Sequence, residues 1–132
     1  MKFHYALRTR YSDTAQDGII HHPSFVIFLE VARIEFFKSL GCDINDLERQ
    51  KILCPVVDLS VQYLKPLYSL EDIIVEVEVD VFSKVRFSLK YQIFRAQQCV
   101  AKASTTHCFL NSSFKPMAIP EKLLFEFKQQ SC

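Results

Sequence analysis

Apolar residues concentrate between Pro23 and Gly41, in the stretch SFVIFLEVARIEFFKSL, where they fall on almost every side of a helical projection. A helix that is apolar all round is a buried one, so this stretch predicts a long helix inside the protein. Pro23 suits the first helical turn, where its missing N–H has no intrahelical partner. Gly41 suits the position just past the end, where a left-handed residue closes a helix.

Charged side chains interrupt this run at Glu30, Arg33 and Glu35. A membrane span needs about 20 predominantly apolar residues, so the interrupted run predicts no membrane-spanning segment. Because Glu30 and Arg33 are three positions apart, they lie on the same face of a helix. We expect them to form a structural ion pair, and we favour this interpretation over a catalytic role for Glu30.

Other stretches alternate apolar and polar residues, which is the period of a β-strand with one buried face. One such stretch precedes the helix and the others follow it. The stretch before Pro66 is predicted to be half-buried and to end there, because proline cannot donate a ladder hydrogen bond. The predicted strands are residues 3–10, 55–65, 73–82, 86–94 and 99–110.

Two of these strands carry complementary charges. Valines alternate with acids in residues 73–82, and aromatic and aliphatic residues alternate with basic and polar ones in residues 86–94. An antiparallel hairpin of the two pairs acids with bases, whereas a one-residue slip places valines opposite lysine and arginine. The loop around Phe82–Val85 must therefore hold an odd number of residues, as a three-residue loop or a bulge.

The remaining segments are shorter. Residues 42–52 are rich in charge and predict a connecting loop with room for a helical turn, and the tail 116–127 predicts a terminal helix in EKLLFEFK. Strands that follow the helix in a run exclude a doubly wound fold. The predicted fold class is therefore α+β, with one antiparallel sheet curved around one long buried helix.

Length and composition are those of a globular protein. The chain has 132 residues, 49% of them hydrophobic and 23% charged, which predicts a single domain over residues 1–132. A net charge of +1 gives no general attraction to nucleic acid or to an anionic membrane surface. We therefore expect neither nucleic acid nor stable membrane insertion.

The cysteines indicate a reducing compartment. Their number is odd and none form a CxxC pair, so a disulfide framework is not expected. The N-terminal MKFHYALRTRY lacks the apolar segment and cleavage site of a signal peptide. We expect a cytoplasmic protein whose cysteines are small buried hydrophobes, with one at the terminus; they are Cys42, Cys54, Cys99, Cys108 and Cys132.

The loop before the helix carries the candidate chemistry: Tyr11, Asp13, Asp17, His21 and His22 lie within twelve positions. A carboxylate near a helix N-terminus can activate water, and free backbone N–H groups can polarise a carbonyl as an oxyanion hole does. Histidine can orient a substrate or carry a proton. A thiolate leaving group has a pKa of about 8–9 and departs without strong acid help, so this set suits thioester hydrolysis or acyl transfer.

Each of these residues also has an ordinary structural interpretation. Asp17-Gly18 is a common turn dipeptide, Asp13 can accept hydrogen bonds from local backbone N–H groups, and the histidines can be helix-entry residues. Metal binding is not expected, because adjacent histidines cannot easily face one ion and the dense ligand pattern of a zinc site is missing.

The stretch RYSDTAQDGIIHHPSFVIFLEVAR resembles the signature of the hotdog-fold acyl-CoA thioesterases. The branch is the 4-hydroxybenzoyl-CoA thioesterase family, including its Tol-Pal-associated bacterial members. VQYLKPLYSLED and KPMAIPEKL resemble two later segments of that family, so the resemblance covers essentially the whole chain. It implies a hotdog fold, a homodimer with a continuous sheet or a homotetramer, an acyl-CoA pocket at the dimer interface, and no metal or bound cofactor.

The family's catalytic residues carry over only in part. Tyr11 matches the aromatic residue before the acid, and His22 matches the histidine before the helix. The family's catalytic carboxylate, however, falls at Ala15. Asp13 matches a neighbouring acid that is usually structural, and Asp17 lies two positions late. Three outcomes follow: Asp17 supplies the carboxylate, Asp13 supplies it, or the site works without an acid.

The resemblance implies an acyl-CoA thioesterase. We expect attack on the thioester carbonyl by water with Asp17 as base, or by Asp17 itself as nucleophile with water hydrolysing the resulting anhydride, while His22 and Tyr11 position the substrate. Backbone N–H groups from Gly18 to His22, or those of the partner subunit, hold the carbonyl oxygen. Further substrate contacts are expected from Gly18, Ile19, His21 and Tyr63.

Other functions stay open. Ala15 favours a non-catalytic acyl-thioester-binding protein. A hotdog dehydratase is disfavoured, because its own histidine and acid arrangement is not found on the helix. Some basic residues can meet the phosphates of CoA, although we favour solvated strand positions for them; they are Lys65, Lys84, Arg86 and Lys90.

Overall fold

The computed structural model describes residues 2–130 of the chain. Their order is strand, short 3-10 turn, long helix, short helix, a run of strands and a last helix. The elements are β1 (Phe3–Arg8), a 3-10 turn (Tyr11–Asp13), α1 (His22–Ser39), α2 (Ile44–Arg49), β2 (Val56–Tyr63), β3 (Asp72–Phe82), β4 (Arg86–Arg95), β5 (Gln98–Leu110), β6 (Pro116–Met117) and α3 (Glu121–Gln130). The predicted α+β class is confirmed, and so is a terminal helix.

The limits of α1 agree with the sequence. His21 is the residue before the helix, Pro23 lies in its first turn, and Gly41 follows its end with a φ of +80°. The prediction that α1 is buried on all sides is wrong for the single chain. Seven residues of one side are buried, but Ile27 on the opposite side is 50% exposed. The sheet of one chain covers only one side of this helix, so its other apolar side chains stay accessible.

Arg33 has a different partner from the one expected. Its guanidinium donates a hydrogen bond to the hydroxyl of Tyr91 over 3.2 Å, while Glu30 is exposed. The predicted Glu30–Arg33 ion pair is therefore wrong. Tyr91 lies on the buried face of β4, and Arg33 extends towards that face rather than along the helix surface.

This contact begins a chain of buried polar groups between helix and sheet. The hydroxyl of Tyr91 lies 2.7 Å from that of Thr105, which in turn lies 2.8 Å from Nε2 of His107. His107 is buried and its Nδ1 has no hydrogen-bond partner among the described residues. Burial, aided by the nearby charge of Arg33, lowers the pKa of His107 to about 4. The ring is therefore neutral near pH 7.

The strands form one antiparallel sheet in the order β1-β3-β4-β5-β2, with β6 paired to β5. The predicted hairpin register is confirmed, since Val77 faces Tyr91 and Glu78 faces Lys90. Three residues separate β3 from β4, and the register also shifts between Val79 and Phe82. Both the odd loop and the irregularity predicted for this turn are therefore present.

β2 differs most from its prediction. Its residues alternate as expected, but nearly all of them are exposed, so the predicted half-buried strand is wrong for the single chain. The reason is its place at the edge of the sheet, where only β5 pairs with it. The exposed apolar residues here are Val56, Val57, Leu59, Tyr63 and Leu64.

The last helix and the cysteines complete the description. Leu123 and Phe127 of α3 are fully buried against the sheet. Four cysteines carry free thiols and are half-buried rather than buried, whereas Cys132 lies outside the described residues. Within residues 2–130, none of the helices has the length and apolar character needed to cross a bilayer.

Candidate active site

The loop between β1 and α1 is a small hairpin. Thr14 and Ile20 form an antiparallel bridge, and the N–H of Gly18 donates to the carbonyl of Ala15 over 3.2 Å. Gly18 has a φ of +79°, which a turn glycine adopts without strain. Asp17 precedes it at the exposed tip of this turn. The turn interpretation of Asp17-Gly18 is therefore confirmed as local structure.

Asp13 is buried beneath the loop and held by Arg10. Its Oδ2 accepts from the backbone N–H of Arg10 over 2.9 Å, and its Oδ1 accepts from the Arg10 guanidinium over 2.9 Å. Burial opposes ionisation of this carboxyl, but the hydrogen bonds and charge of Arg10 outweigh it and lower the pKa of Asp13. Both carboxylate oxygens are thus engaged in local structure.

The backbone of Asp13 fixes the start of α1. Its carbonyl oxygen accepts from the N–H of His21 over 2.8 Å and from the hydroxyl of Ser24 over 3.0 Å. The end of the loop is also bound to the segment after β2, because the N–H of Ile20 donates to the carbonyl of Leu67 over 2.8 Å. Together these bonds set the position of the helix entry relative to the segment after β2.

A cleft of about 290 Å³ lies where the helix entry meets the end of β2. The Tyr63 hydroxyl donates to the carbonyl oxygen of His22 over 3.3 Å, and the Tyr63 and Phe25 rings pack perpendicular to each other with their centroids 5.0 Å apart. The walls are mostly apolar, with His22, Tyr63 and Lys65 as the polar side chains. The lining residues are Ile19, Ile20, His22, Phe25, Tyr63, Leu64, Lys65, Pro66 and Leu67.

Three predicted site residues, Ile19, His22 and Tyr63, therefore line one cleft. His21 is adjacent, with its ring centroid 4.7 Å from that of His22. The remaining predicted residues do not line it: Tyr11 is exposed, Asp13 is bound to Arg10, and Asp17 and Gly18 form the turn.

A model of the thioesterase-like superfamily matches residues 9–127 of this chain. The chain belongs to the thioesterase-like superfamily. YneP of Bacillus subtilis, whose name gives acyl-CoA thioesterase as a provisional activity, is 33% identical over 113 residues, covering 84% of this chain and 82% of its own. The acyl-CoA thioester hydrolase YbgC of Escherichia coli is 28% identical, covering 96% of each chain.

Solved structures agree with this assignment. The DHNA-CoA thioesterase of Staphylococcus aureus superposes with a TM-score of 0.91 at 28% identity, covering 98% of this chain and 90% of its own. The fold is the hotdog fold that the sequence resemblance implied. Sequence similarity shows the superfamily, whereas the structure of the chain itself shows the cleft at the helix entry.

Two residues that line the cleft of this thioesterase-like chain have free peptide N–H groups. Among peptide groups at the helix entry, those of Gly18, Ile20 and His21 donate within the protein. Those of Ile19 and His22 have no hydrogen-bond partner among the described residues. Both residues line the cleft, and a peptide N–H without a partner is a group that can hold a carbonyl oxygen.

Acid groups are missing from the same walls. No carboxylate is among the lining residues, and Ala15 occupies the position where the family resemblance expects one. Within residues 2–130, no group of three or more His, Cys, Asp or Glu is arranged to hold a metal ion. The residues present therefore provide donors, one imidazole and one ammonium group around an apolar space.

Sequence reasoning did not select every wall residue. The helical pattern places Phe25 in the core, and the sequence favours a solvated position for Lys65, yet both line the cleft. The signal available was the YLKP segment at residues 63–66, which resembles the family's own. A β-bridge between Ile19 and Tyr68 brings this segment to the loop. The two residues are far apart in the chain, and no sequence pattern predicts their pairing.

Proposed function

We propose that this protein hydrolyses acyl-CoA thioesters in the cleft formed by Ile19, His22 and Tyr63. The observation that carries the proposal is the pair of free N–H groups, of Ile19 and His22, in an apolar cleft of a thioesterase-like chain. An apolar wall suits the acyl and pantetheine parts of the substrate. The ammonium group of Lys65 suits a phosphate of CoA.

The proposed reaction is attack of water on the thioester carbonyl. The carbonyl oxygen accepts hydrogen bonds from the N–H groups of Ile19 and His22, which stabilise the negative charge that develops there. The His22 imidazole orients the thioester. The tetrahedral intermediate then expels the CoA thiolate, which needs little acid assistance.

Asp17 is the proposed base that takes the proton of the attacking water. Of the two loop carboxylates, Asp13 has both oxygens bound to Arg10, whereas Asp17 has no hydrogen bond or ion pair among the described residues. Asp17 also lies two positions before Ile19, at the tip of the same turn. A carboxylate that is free and exposed can reorient when substrate binds.

The proposed assembly is a homodimer that joins two copies of β2. An exposed apolar edge strand pairs readily with another chain unless it is protected, and Asp58 is the one charged residue in β2. Ile27 on α1 adds exposed apolar surface. A two-fold axis at this edge would extend the sheet continuously and cover both surfaces. A homotetramer is the alternative assembly.

A cytoplasmic location is part of the same proposal. It is supported by the free thiols of Cys42, Cys54, Cys99 and Cys108, since a reducing compartment keeps thiols in this state.

The test is release of free CoA from short, long and aromatic acyl-CoAs. Wild type is compared with His22→Gln and with His4→Gln, the same change at an exposed histidine of β1 that contacts Glu76 outside the cleft. Turnover by wild type and His4→Gln, with loss of at least about tenfold in His22→Gln, supports the proposal. Equal turnover by all three places the reaction elsewhere.

The second candidate function is binding of acyl thioesters without hydrolysis. It is favoured by Ala15 and by the lack of a carboxylate among the cleft residues. A non-hydrolysable thioether analogue of acyl-CoA distinguishes the two functions. Binding of this analogue by a wild-type protein that releases no CoA from any thioester supports the second candidate over the first.

A further inference from the structure

Three apolar side chains of β2 form a strip on the side of the sheet that faces α1. The Tyr63 ring packs against Phe25 of α1, so Tyr63 points towards the helix. Alternate residues of a strand share one face, so Val61 and Leu59 point the same way. Tyr63 and Leu59 are 47% and 41% exposed, and Val61 is half-buried. These three side chains, here called the β2 strip, are therefore open in the single chain.

The β2 strip connects the cleft with the buried polar groups between helix and sheet. One end lies in the cleft, because Tyr63 is among its lining residues. At the other end Leu59 is paired with Thr105 of β5. The Thr105 hydroxyl lies 2.7 Å from that of Tyr91, which accepts a hydrogen bond from Arg33 over 3.2 Å. The guanidinium of Arg33 therefore lies towards the far end of the strip.

Helix and strand give the same length for this path. Arg33 comes eight positions after Phe25 in α1, which is a rise of about 12 Å. Leu59 comes four positions before Tyr63 in β2, which is about 13 Å of extended chain. An acyl group whose carbonyl is held in the cleft and whose chain follows the strip thus needs a medium-length chain to reach Arg33.

Arg33 carries the charge at this end of the strip. Burial raises the pKa of the Cys54 thiol to about 12 and also raises that of the Tyr91 phenol, although the nearby charge of Arg33 opposes both shifts. Burial and the same charge lower the pKa of His107 to about 4. The thiol, the phenol and the imidazole are therefore neutral near pH 7, and the guanidinium is positive beside them.

This positive charge lacks a counter-ion in the single chain. Within residues 2–130 no acid forms an ion pair with Arg33, and the Tyr91 hydroxyl is its hydrogen-bond partner. The side chain is half-buried, and removing a charge from water without a partner is unfavourable. A guanidinium has further N–H donors in a planar fork that matches a carboxylate. The group that completes this end of the strip is therefore an anion of carboxylate shape.

We infer that the acyl group bound along the β2 strip carries a carboxylate at its far end, and that Arg33 binds this carboxylate. The substrate class is a CoA monothioester of a medium-chain dicarboxylic acid, and this inference rests on the proposed function for the thioester end. Arg33 is then a specificity residue. Every group in the argument belongs to one chain, and strand pairing at the edge of β2 uses backbone groups, so it leaves the strip's side chains in place.

The first test is the preference for a distal carboxylate. Release of CoA is measured from adipyl-, suberyl- and sebacyl-CoA, each beside the alkyl ester of equal length, hexanoyl-, octanoyl- or decanoyl-CoA. The preference is the ratio of kcat/KM for the two esters of a pair. Wild type is expected to prefer the carboxylate ester of at least one pair. A preference for the alkyl ester in every pair overturns the inference without the need for a variant.

Arg33→Gln tests the residue itself. We expect its preference ratio to fall at least about tenfold, the scale of a lost charged hydrogen bond. Arg86→Gln, the same change at an exposed arginine of β4, is the control and should keep the wild-type ratio. Arg33→Lys keeps the charge but not the fork, so its ratio should lie between those of wild type and Arg33→Gln. An unchanged ratio in folded Arg33→Gln, with or without a loss of dimers in light scattering, overturns the inference.

A binding measurement separates this inference from the proposed function. Carboxyalkyl-CoA and alkyl-CoA thioethers of equal length cannot be hydrolysed, and their affinities are measured by calorimetry. Tighter binding of the carboxyalkyl compound by wild type, lost in Arg33→Gln, supports the inference even if wild type hydrolyses no thioester and the proposed function fails. Hydrolysis of alkyl esters with no preference for a carboxylate in turnover or in binding overturns the inference and leaves the proposed function standing.

Discussion

The Tyr63 hydroxyl donates a hydrogen bond to the carbonyl oxygen of His22 over 3.3 Å, although 41 positions separate them in the chain. The bond ties the end of β2 to the first residue of α1 and so joins the two walls of the cleft. The Tyr63 ring adds an edge contact with Phe25 at 5.0 Å. The hydroxyl and the ring can therefore be tested separately.

Tyr63→Phe removes the hydrogen bond and keeps the ring. We expect the free energy of unfolding to change by less than about 1 kcal/mol, because the bond is exposed. Tyr63→Ala removes a wall of the cleft, and we expect KM for acyl-CoA to rise about tenfold through lost apolar contact. Denaturant unfolding and CoA-release kinetics measure both effects. A KM for Tyr63→Ala equal to that of Tyr63→Phe would mean that the ring does not contact substrate.

Asp13→Asn tests the structural role of the buried acid. The amide nitrogen of asparagine donates where Arg10 also donates, so we expect a loss of about 1–3 kcal/mol in the free energy of unfolding. Since the folded pKa of Asp13 is lowered, its ionised form stabilises wild type above the unfolded pKa, and this contribution is lost as pH falls through the folded pKa. Unfolding curves of the variant should lack this acid dependence.

Activity distinguishes the structural role of Asp13 from a catalytic one. At a temperature where both proteins are folded, Asp13→Asn should keep kcat within about tenfold of wild type, below the usual loss on removing a general base. A fully folded variant with no turnover would instead make Asp13 the catalytic carboxylate.

His107 predicts a pH dependence of stability between pH 6.5 and about 4. Its folded pKa is lowered from 6.5 to about 4, so across this window the unfolded chain binds a proton on this ring and the folded chain does not. Stability is therefore full above pH 6.5 and falls as pH falls towards 4, by up to about 3 kcal/mol. Denaturant unfolding of wild type and His107→Asn across this range measures the difference between their free energies of unfolding. This difference should become smaller as pH falls. A constant difference would show that His107 titrates normally in the folded state.

Leu59→Glu tests the proposed dimer edge. Leu59 lies in the middle of β2 and is 41% exposed in the single chain. A carboxylate on each copy near the two-fold axis would be repelled and poorly solvated, so we expect a monomer by light scattering. Val85→Glu, at a residue 48% exposed in the β3–β4 loop, is the matched control and should stay dimeric. Dimers of both variants would place the interface on another surface.

Local pattern was enough to predict the sheet and the helix. The pairing of Glu78 with Lys90 follows from alternation and charge alone, because any one-residue slip is costly on both faces. Gly41 marks the end of α1 because its φ is positive, and glycine is the residue that adopts this conformation most easily.

Non-local contacts account for the errors. Alternation shows that β2 has two faces, but it does not show that the strand lies at an edge, which depends on the order of the other strands. Helical spacing predicts that Arg33 pairs with Glu30, whereas in the structure Arg33 donates to Tyr91 of β4, which is far from it in the chain. The cleft also depends on a non-local contact, because Ile19 of the loop forms a β-bridge with Tyr68 of the segment after β2.

Release of CoA by wild type and by Asp17→Asn is the first measurement to make, because it tests both hydrolysis of the thioester and the proposed role of Asp17 as base. We expect wild type to turn over at least one acyl-CoA and Asp17→Asn to lose at least about 100-fold in kcat, the scale of a lost general base. Equal turnover by both would make Asp17 a turn residue only. Binding of acyl-CoA by both without any release of CoA would contradict hydrolysis itself.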